Sequence, residues 1–134
     1  MTGRDRCRLT SAGAASILAM VLFPALALAQ QSAAPPDTAA ITAAMVDLGR
    51  AIFHGKGTCF ACHGGQLEGS QLAPTLKAHS WRDAKGGRYD EIFRVVTHGV
   101  PSTVMVAFPG GISQTDALSV AAYVWSVSNR GAKP

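Results

Sequence analysis

Two cysteines stand three residues apart, with a histidine directly after the second, in Cys59-Phe60-Ala61-Cys62-His63. No other stretch restricts the chain as much, because few chemistries need two thiols and an imidazole at this spacing. A structural zinc site takes four ligands, usually from a second cysteine pair or two closely spaced histidines. The only other cysteine is Cys7, and His54, His79 and His98 are isolated, which weighs against zinc. A dithiol oxidoreductase sets its cysteines at a helix start within a strand–helix alternation. The residues around the motif lack that alternation.

The third chemistry is covalent attachment of a haem c, which Cys-x-x-Cys-His signals directly. Two thiols at this spacing suit the two vinyl groups along one edge of the macrocycle, and the adjacent imidazole reaches the iron. The N-terminus agrees with that reading. Arg4, Arg6 and Arg8 precede a stretch without charge from Leu9 to Pro36, apolar from about Ala12 to Leu28 and ending in the small-x-small site Ala27-Leu28-Ala29. This is the pattern of a signal peptide over residues 1–29, with Gln30 as the new N-terminus and the periplasm as destination. The alternative is an uncleaved anchor that holds the protein at the membrane, facing the periplasm. Pro24, near the end of the apolar run, interrupts a spanning helix there. Cys7 precedes the run and leaves with the signal, so Cys59 and Cys62 are the only cysteines of the mature chain.

Composition narrows the field further. With 134 residues the chain has room for one domain, and 48% hydrophobic residues exclude disorder for its bulk. Only one apolar run is long enough to span a bilayer, which excludes a polytopic membrane protein. The net charge of +4 falls to +2 once residues 1–29 are removed. That balance, with no basic–aromatic cluster, gives no reason to expect nucleic acid as a partner.

Periodicity predicts an all-α chain. Residues 30–37 read as a flexible Pro/Ala/Ser linker, residues 38–131 as the folded domain and residues 132–134 as a tail. A first helix is expected from about Thr38 to His54, capped by Asp37 or Thr38, with Ile41, Met45, Leu48 and Ile52 as its apolar stripe. Gly49 inside it suggests that another element packs close to the backbone. Residues 58–87 read as mostly irregular, organised by a large prosthetic group. A second long helix is expected from about Arg88 to Thr97, stopped by Gly99, and a last one from about Gln114 to Asn129, with Ser113 and Asp116 as a capping box and Gly131 as terminator. Ala117, Ala121, Val124 and Ser128 form its stripe, flanked by Leu118 and Trp125. Thr103 to Phe108 is expected to be an extended loop, since no partner strand is found.

Over about residues 38 to 131 the chain resembles a small monohaem class I cytochrome c. The motif at Cys59, Cys62 and His63 carries the likeness, together with Gly49 and Phe53 before it and Tyr123 on the last helix. The resemblance implies a cytochrome c-like fold, three to four helices wrapped around one covalently attached haem, with the first and last helices crossing at the glycine. It implies that Pro74, 11 residues after His63, offers its carbonyl to the imidazole's other nitrogen, fixing the tautomer and raising ligand basicity. Leu76 would then pack against the haem.

The resemblance also places a methionine ligand in the loop before the last helix, after a Gly-x-Pro segment. Gly99-Val100-Pro101 matches that segment, and Met105 follows His63 by 42 residues. Met45, the other methionine of the mature chain, lies on the apolar stripe of the first helix and reads as core. His98 is the rival sixth ligand, and an open site is the remaining option; His54 and His79 read as surface residues. The family often has proline directly after its methionine. Here Val106 stands there, which leaves the loop's path open. Trp81, Arg82 and Arg88 are weaker candidates for contact with the haem propionates.

Such a site implies an electron-transfer protein rather than an enzyme, with His63 and Met105 as iron ligands. Redox proteins would be its donor and acceptor, met as a monomer or in transient complexes. Two alternatives share the motif: a haem-based sensor with an open or displaceable distal site, and an electron-accepting subunit of a periplasmic dehydrogenase.

Overall fold

A glycine decides how the helices meet. The computed structural model describes residues 36–77 and 81–129, all within one compact unit, Ser32–Pro134. Residues 1–29, expected to be a signal segment, residues 30–35 of the expected linker, His79, Gly131 and residues 132–134 lie outside the described residues. Among the described residues there is no strand, and the helices are α1 (Ala43–His54), α2 (Phe60–His63), α3 (Tyr89–His98) and α4 (Gln114–Ser128). Three short 3-10 turns, Thr38–Ala40, Lys85–Gly87 and Pro109–Gly111, complete the regular structure.

Helix α1 crosses α4 at Gly49. A β-carbon on Gly49 would run into the Ser119 carbonyl oxygen and stand 2.9 Å from the Tyr123 β-carbon. The bare backbone lets the two helices approach closer than any other residue would. Phe53 and Tyr123 then meet edge to face, with centroids 5.6 Å apart and planes at 66°. That geometry suits aromatic quadrupoles.

The start of α1 differs from the sequence expectation. Asp37 does act as a cap, but only for the turn Thr38–Ala40. The chain is then extended at Ile41, and Thr42 caps the α-helix by accepting the Met45 N–H at 3.2 Å. Two cap-forming side chains five residues apart split what periodicity reads as one helix. The stripe is also turned. Leu48 is 49% exposed, whereas Gly49, Ile52 and Phe53 are buried. The close approach at Gly49 sets the buried face, and Leu48 lies about 100° around the helix from it.

Helix α4 begins as the sequence indicates. The Asp116 N–H donates to Ser113 Oγ at 3.1 Å and the Ser113 N–H returns to Asp116 Oδ2 at 2.9 Å. Residues 119–124 are buried around the whole helix, well beyond the expected stripe. The reason is its place: α1 covers one side, α3 another, and Val120 and Val124 face a cavity. Helix α3 packs on α4 with Ile92 and Val96 buried, and the buried Tyr89 donates its hydroxyl to the Leu118 carbonyl at 3.2 Å. Gly99, with φ of 70°, stops α3 as expected.

Candidate functional site

The site grows from a single helical turn. Thr58, in the left-handed region at φ 53°, turns the chain into α2. Within that turn the His63 N–H donates to the Cys59 carbonyl at 3.0 Å. Positions i, i+3 and i+4 share one helix face. One turn therefore brings Cys59, Cys62 and His63 onto the wall of a cavity of about 290 Å³. Phe60 falls on the outer side, where it stacks on His54 with centroids 6.4 Å apart.

Burial pushes the Cys59 thiol up to about 11; a backbone hydrogen bond opposes this and the neighbouring Cys62 adds to it. A thiol protonated at neutral pH is the reverse of the activated thiolate that a disulfide oxidoreductase needs. Among the described residues no group of three or more His, Cys, Asp or Glu side chains is arranged to hold a metal ion on its own.

The loop after His63 is built from local hydrogen bonds. The Gly69 N–H donates to the His63 carbonyl at 2.7 Å, and the Ser70 hydroxyl donates to the Cys62 carbonyl at 2.6 Å. Leu67, buried to 1% exposure, pins the loop from within, and its carbonyl accepts from the Leu76 N–H at 2.8 Å and the Thr75 hydroxyl at 3.0 Å. The Glu68 carboxylate accepts the Gln66 N–H at 2.7 Å, and such backbone donors hold it below the usual carboxylate range.

The product of this folding is one contact. His63 Nδ1 donates to the Pro74 carbonyl at 3.0 Å. A carbonyl only accepts, so Nδ1 carries the proton and Nε2 keeps its lone pair for a metal. Leu76 joins the same cavity wall, and its carbonyl accepts the Ser128 hydroxyl of α4 at 2.6 Å.

A second loop, residues 99–111, forms a further part of the wall and brings Met105 into the cavity lining. The Val100 N–H donates to the Met105 carbonyl at 2.8 Å, and the Phe108 N–H donates to the Val96 carbonyl at 2.9 Å. Gly99 packs beneath; a β-carbon there would stand 2.6 Å from the Met105 carbonyl oxygen. These contacts fix a loop path without a proline at Val106. This loop also touches the stretch leading into the attachment motif, since a β-carbon on Gly110 would collide with the Lys56 carbonyl oxygen. Lys56 Nζ in turn donates to Asp116 Oδ2 at 2.7 Å. Together with the Ser113 donors, it draws the Asp116 carboxyl down to about 2.

The other candidates separate clearly. His98 is exposed and does not line the cavity; its Nδ1 lies 2.8 Å from Thr97 Oγ1 and 3.1 Å from the Arg94 carbonyl, at the end of its own helix. His54 is exposed, and Met45 packs against the core away from the cavity. Trp81 and Arg82 line the cavity, with Trp81 lying against Gly87 and Arg82 paired to Asp83 at 3.1 Å. Arg88 is turned elsewhere and pairs with Asp90 and Glu91. Leu67 and Thr103 have roles that the sequence reading missed. Leu67 is apolar but lies in no periodic run, and Thr103 reads only as part of an irregular loop.

Two thiols and a histidine with a free Nε2 share one wall, and the rest of the cavity is largely apolar, with Met105 in its lining. This donor set fits a haem c. Comparison with known proteins gives the same answer. The family model described as cytochrome c oxidase, cbb3-type, subunit III matches residues 44–124. Cytochrome c6 of the diatom Phaeodactylum tricornutum is 30% identical, with a TM-score of 0.54, over 64% of this chain and 97% of that one. Cytochrome cL of the methylotroph Methylophaga aminisulfidivorans is 25% identical, with a TM-score of 0.55, over 63% of this chain and 56% of that one. Cytochrome cL of Hyphomicrobium denitrificans, 21% identical with a TM-score of 0.52, shares the fold over 60% of this chain and 45% of its own. This chain thus spans about half the length of both cytochrome cL chains. No curated protein matches the sequence. The all-α architecture, the attachment motif and the matched length lead to one conclusion: the chain belongs to the family of cytochrome c oxidase, cbb3-type, subunit III, and is a c-type cytochrome whose motif fits covalent haem c.

Proposed function

We propose that the chain is an exported carrier of single electrons, with one haem tethered by Cys59 and Cys62 and ligated by His63 and Met105. The haem, when bound, supplies a one-electron couple between Fe(III) and Fe(II). The chain's part is to hold that couple in a fixed, water-poor setting. His63 donates its Nδ1 proton to Pro74 and so presents a basic Nε2. Leu76, Val120 and Val124 supply apolar walls that limit water. Met105 supplies a soft sixth ligand, which favours the reduced state and keeps small molecules out. Residues 1–29 act as the export signal to the periplasm, residues 30–37 as a linker, and residues 38–131 as the cytochrome domain. Redox proteins serve as donor and acceptor.

The observation that carries this reading is the pairing of the His63–Pro74 hydrogen bond with Met105 on the wall of the same cavity. His98, the rival ligand, is engaged at the end of α3 instead.

The test is an absorption spectrum of protein exported by a host able to attach haem, recorded oxidised, reduced, and reduced under carbon monoxide. A low-spin c-type spectrum indifferent to carbon monoxide is expected. Met105→Ala should bind carbon monoxide and lower the potential by well over the roughly 59 mV that marks a tenfold change for one electron. A wild-type protein that binds carbon monoxide freely would place the sensor reading first. An unchanged spectrum and potential in Met105→Ala would remove Met105 as the ligand.

A further inference from the structure

The segment from Val100 to Met105 forms a bend closed by its own hydrogen bonds. Val100 and Met105 are joined head to tail, with the Val100 N–H donating to the Met105 carbonyl at 2.8 Å. Ser102, in the left-handed region at φ 62°, makes the bend between them. Inside the bend lies the Thr103 hydroxyl. It donates to the Val100 carbonyl at 2.8 Å and accepts the Met105 N–H at 3.1 Å.

The consequence concerns the Met105 backbone. Its N–H is held by Thr103 and its carbonyl by Val100, so the peptide groups on both sides of its α-carbon are anchored. A side chain leaves the backbone in a direction set by those two torsions. Val106 adds nothing to this control, because valine, unlike proline, does not restrict the residue before it. Besides that backbone bond, the Thr103 side chain joins both ends of the bend, as donor to one and acceptor from the other.

We propose that Thr103 is a positioning residue for Met105: its hydroxyl fixes the backbone from which the Met105 side chain enters the cavity. This rests on Met105 as the distal ligand, and the function of the hydroxyl is to keep that ligand in place against exogenous competitors. Thr103→Val keeps the shape and removes both hydrogen bonds. Thr103→Ser keeps the hydroxyl and removes only the methyl group.

The experiment uses the full, exported, haem-loaded protein and carbon monoxide as the probe of the reduced form, with Met105→Ala as the reference. In Thr103→Val the apparent affinity for carbon monoxide should rise about tenfold, equivalent to about 1.4 kcal/mol of lost loop closure. Its potential should shift in the direction of Met105→Ala but by less, and Thr103→Ser should behave as wild type. Amide hydrogen exchange supplies a reading independent of the iron: the Met105 N–H should be protected in wild type and in Thr103→Ser, and exchange freely in Thr103→Val. If Met105→Ala admits carbon monoxide and Thr103→Val does not, the positioning role is lost while the ligand stands. If Met105→Ala changes nothing, the ligand reading is lost and this inference with it. A Thr103→Ser protein as impaired as Thr103→Val, or an unprotected Met105 N–H in wild type, would also overturn it.

Discussion

The crossing of α1 with α4 and the loop walls of the cavity are held together by different forces. At the crossing, backbone lies on backbone at Gly49, and Phe53, Tyr123, Ala117 and Val120 exclude water around it. The loops at 63–76 and 99–111 have Leu67 as their one buried side chain, with Ile112 just beyond the second. Threonine, serine and glutamate side chains bound to nearby backbone groups shape them, as do glycines in left-handed conformations. The crossing depends on apolar contact and shape, which tolerate little change in volume. The loops depend on individual hydrogen bonds, each worth about 0.5–1.5 kcal/mol net. Damage to the first should unfold the protein, whereas damage to the second should retune the site and leave the fold standing.

Gly49→Ala tests the first half of that contrast with the largest effect. Its methyl group has no space against the Ser119 carbonyl, and overpacking of this kind costs about 1–3 kcal/mol or more. Denaturant unfolding should show the loss, far beyond the small gain that alanine brings to an ordinary helix position. A wild-type midpoint would mean that the helices are not in backbone contact.

Gly99→Ala comes next and tests the second half. The residue sits at φ 70° against the Met105 carbonyl, so a side chain is strained there whatever the space. A loss of about 1–2 kcal/mol is expected. The change should show in carbon monoxide binding at temperatures where helix content is still that of wild type. Loss of helix in step with opening of the iron would erase the distinction between the two regions.

Asp116→Asn has the smallest effect and sharpens the comparison where the regions join. The Lys56 ammonium and the Ser113 donors hold this carboxyl at about 2, below its ordinary 3.8. A lowered acid stabilises the fold above its unfolded value, and that contribution is lost as pH falls through the folded one. The stability gap between wild type and Asp116→Asn should therefore be constant above about pH 4.5 and shrink between pH 4 and pH 2. A gap independent of pH in acid unfolding would show that the Lys56–Asp116 contact is not formed in solution.

The boundary signals were legible because they are local. Ser113 with Asp116 starts α4, Gly99 ends α3, and Cys59, Cys62 and His63 share a face by helix geometry alone. Gly49 announced a close approach, though not the Ser119 carbonyl as the surface it meets. What escaped the sequence depends on partners distant along the chain. Leu48 fits the stripe of α1 as well as Ile52 does, and only the position of α4 leaves it exposed. Thr42 rather than Asp37 or Thr38 caps α1, and propensity alone does not rank cap-forming residues this close together. The burial of Leu67 and the double contact of Thr103 belong to irregular backbone, where no period marks the inward residues.

The contact between Gly110 and the Lys56 carbonyl joins the stretch leading into the attachment motif to the end of the Met105 loop. Neither segment can shift there without pushing on the other. In the electron-carrier role proposed above, such mutual bracing is a property of rate. The less its surroundings rearrange when the charge on the iron changes, the smaller the reorganisation energy, and the nearer the transfer comes to the speed that distance alone allows.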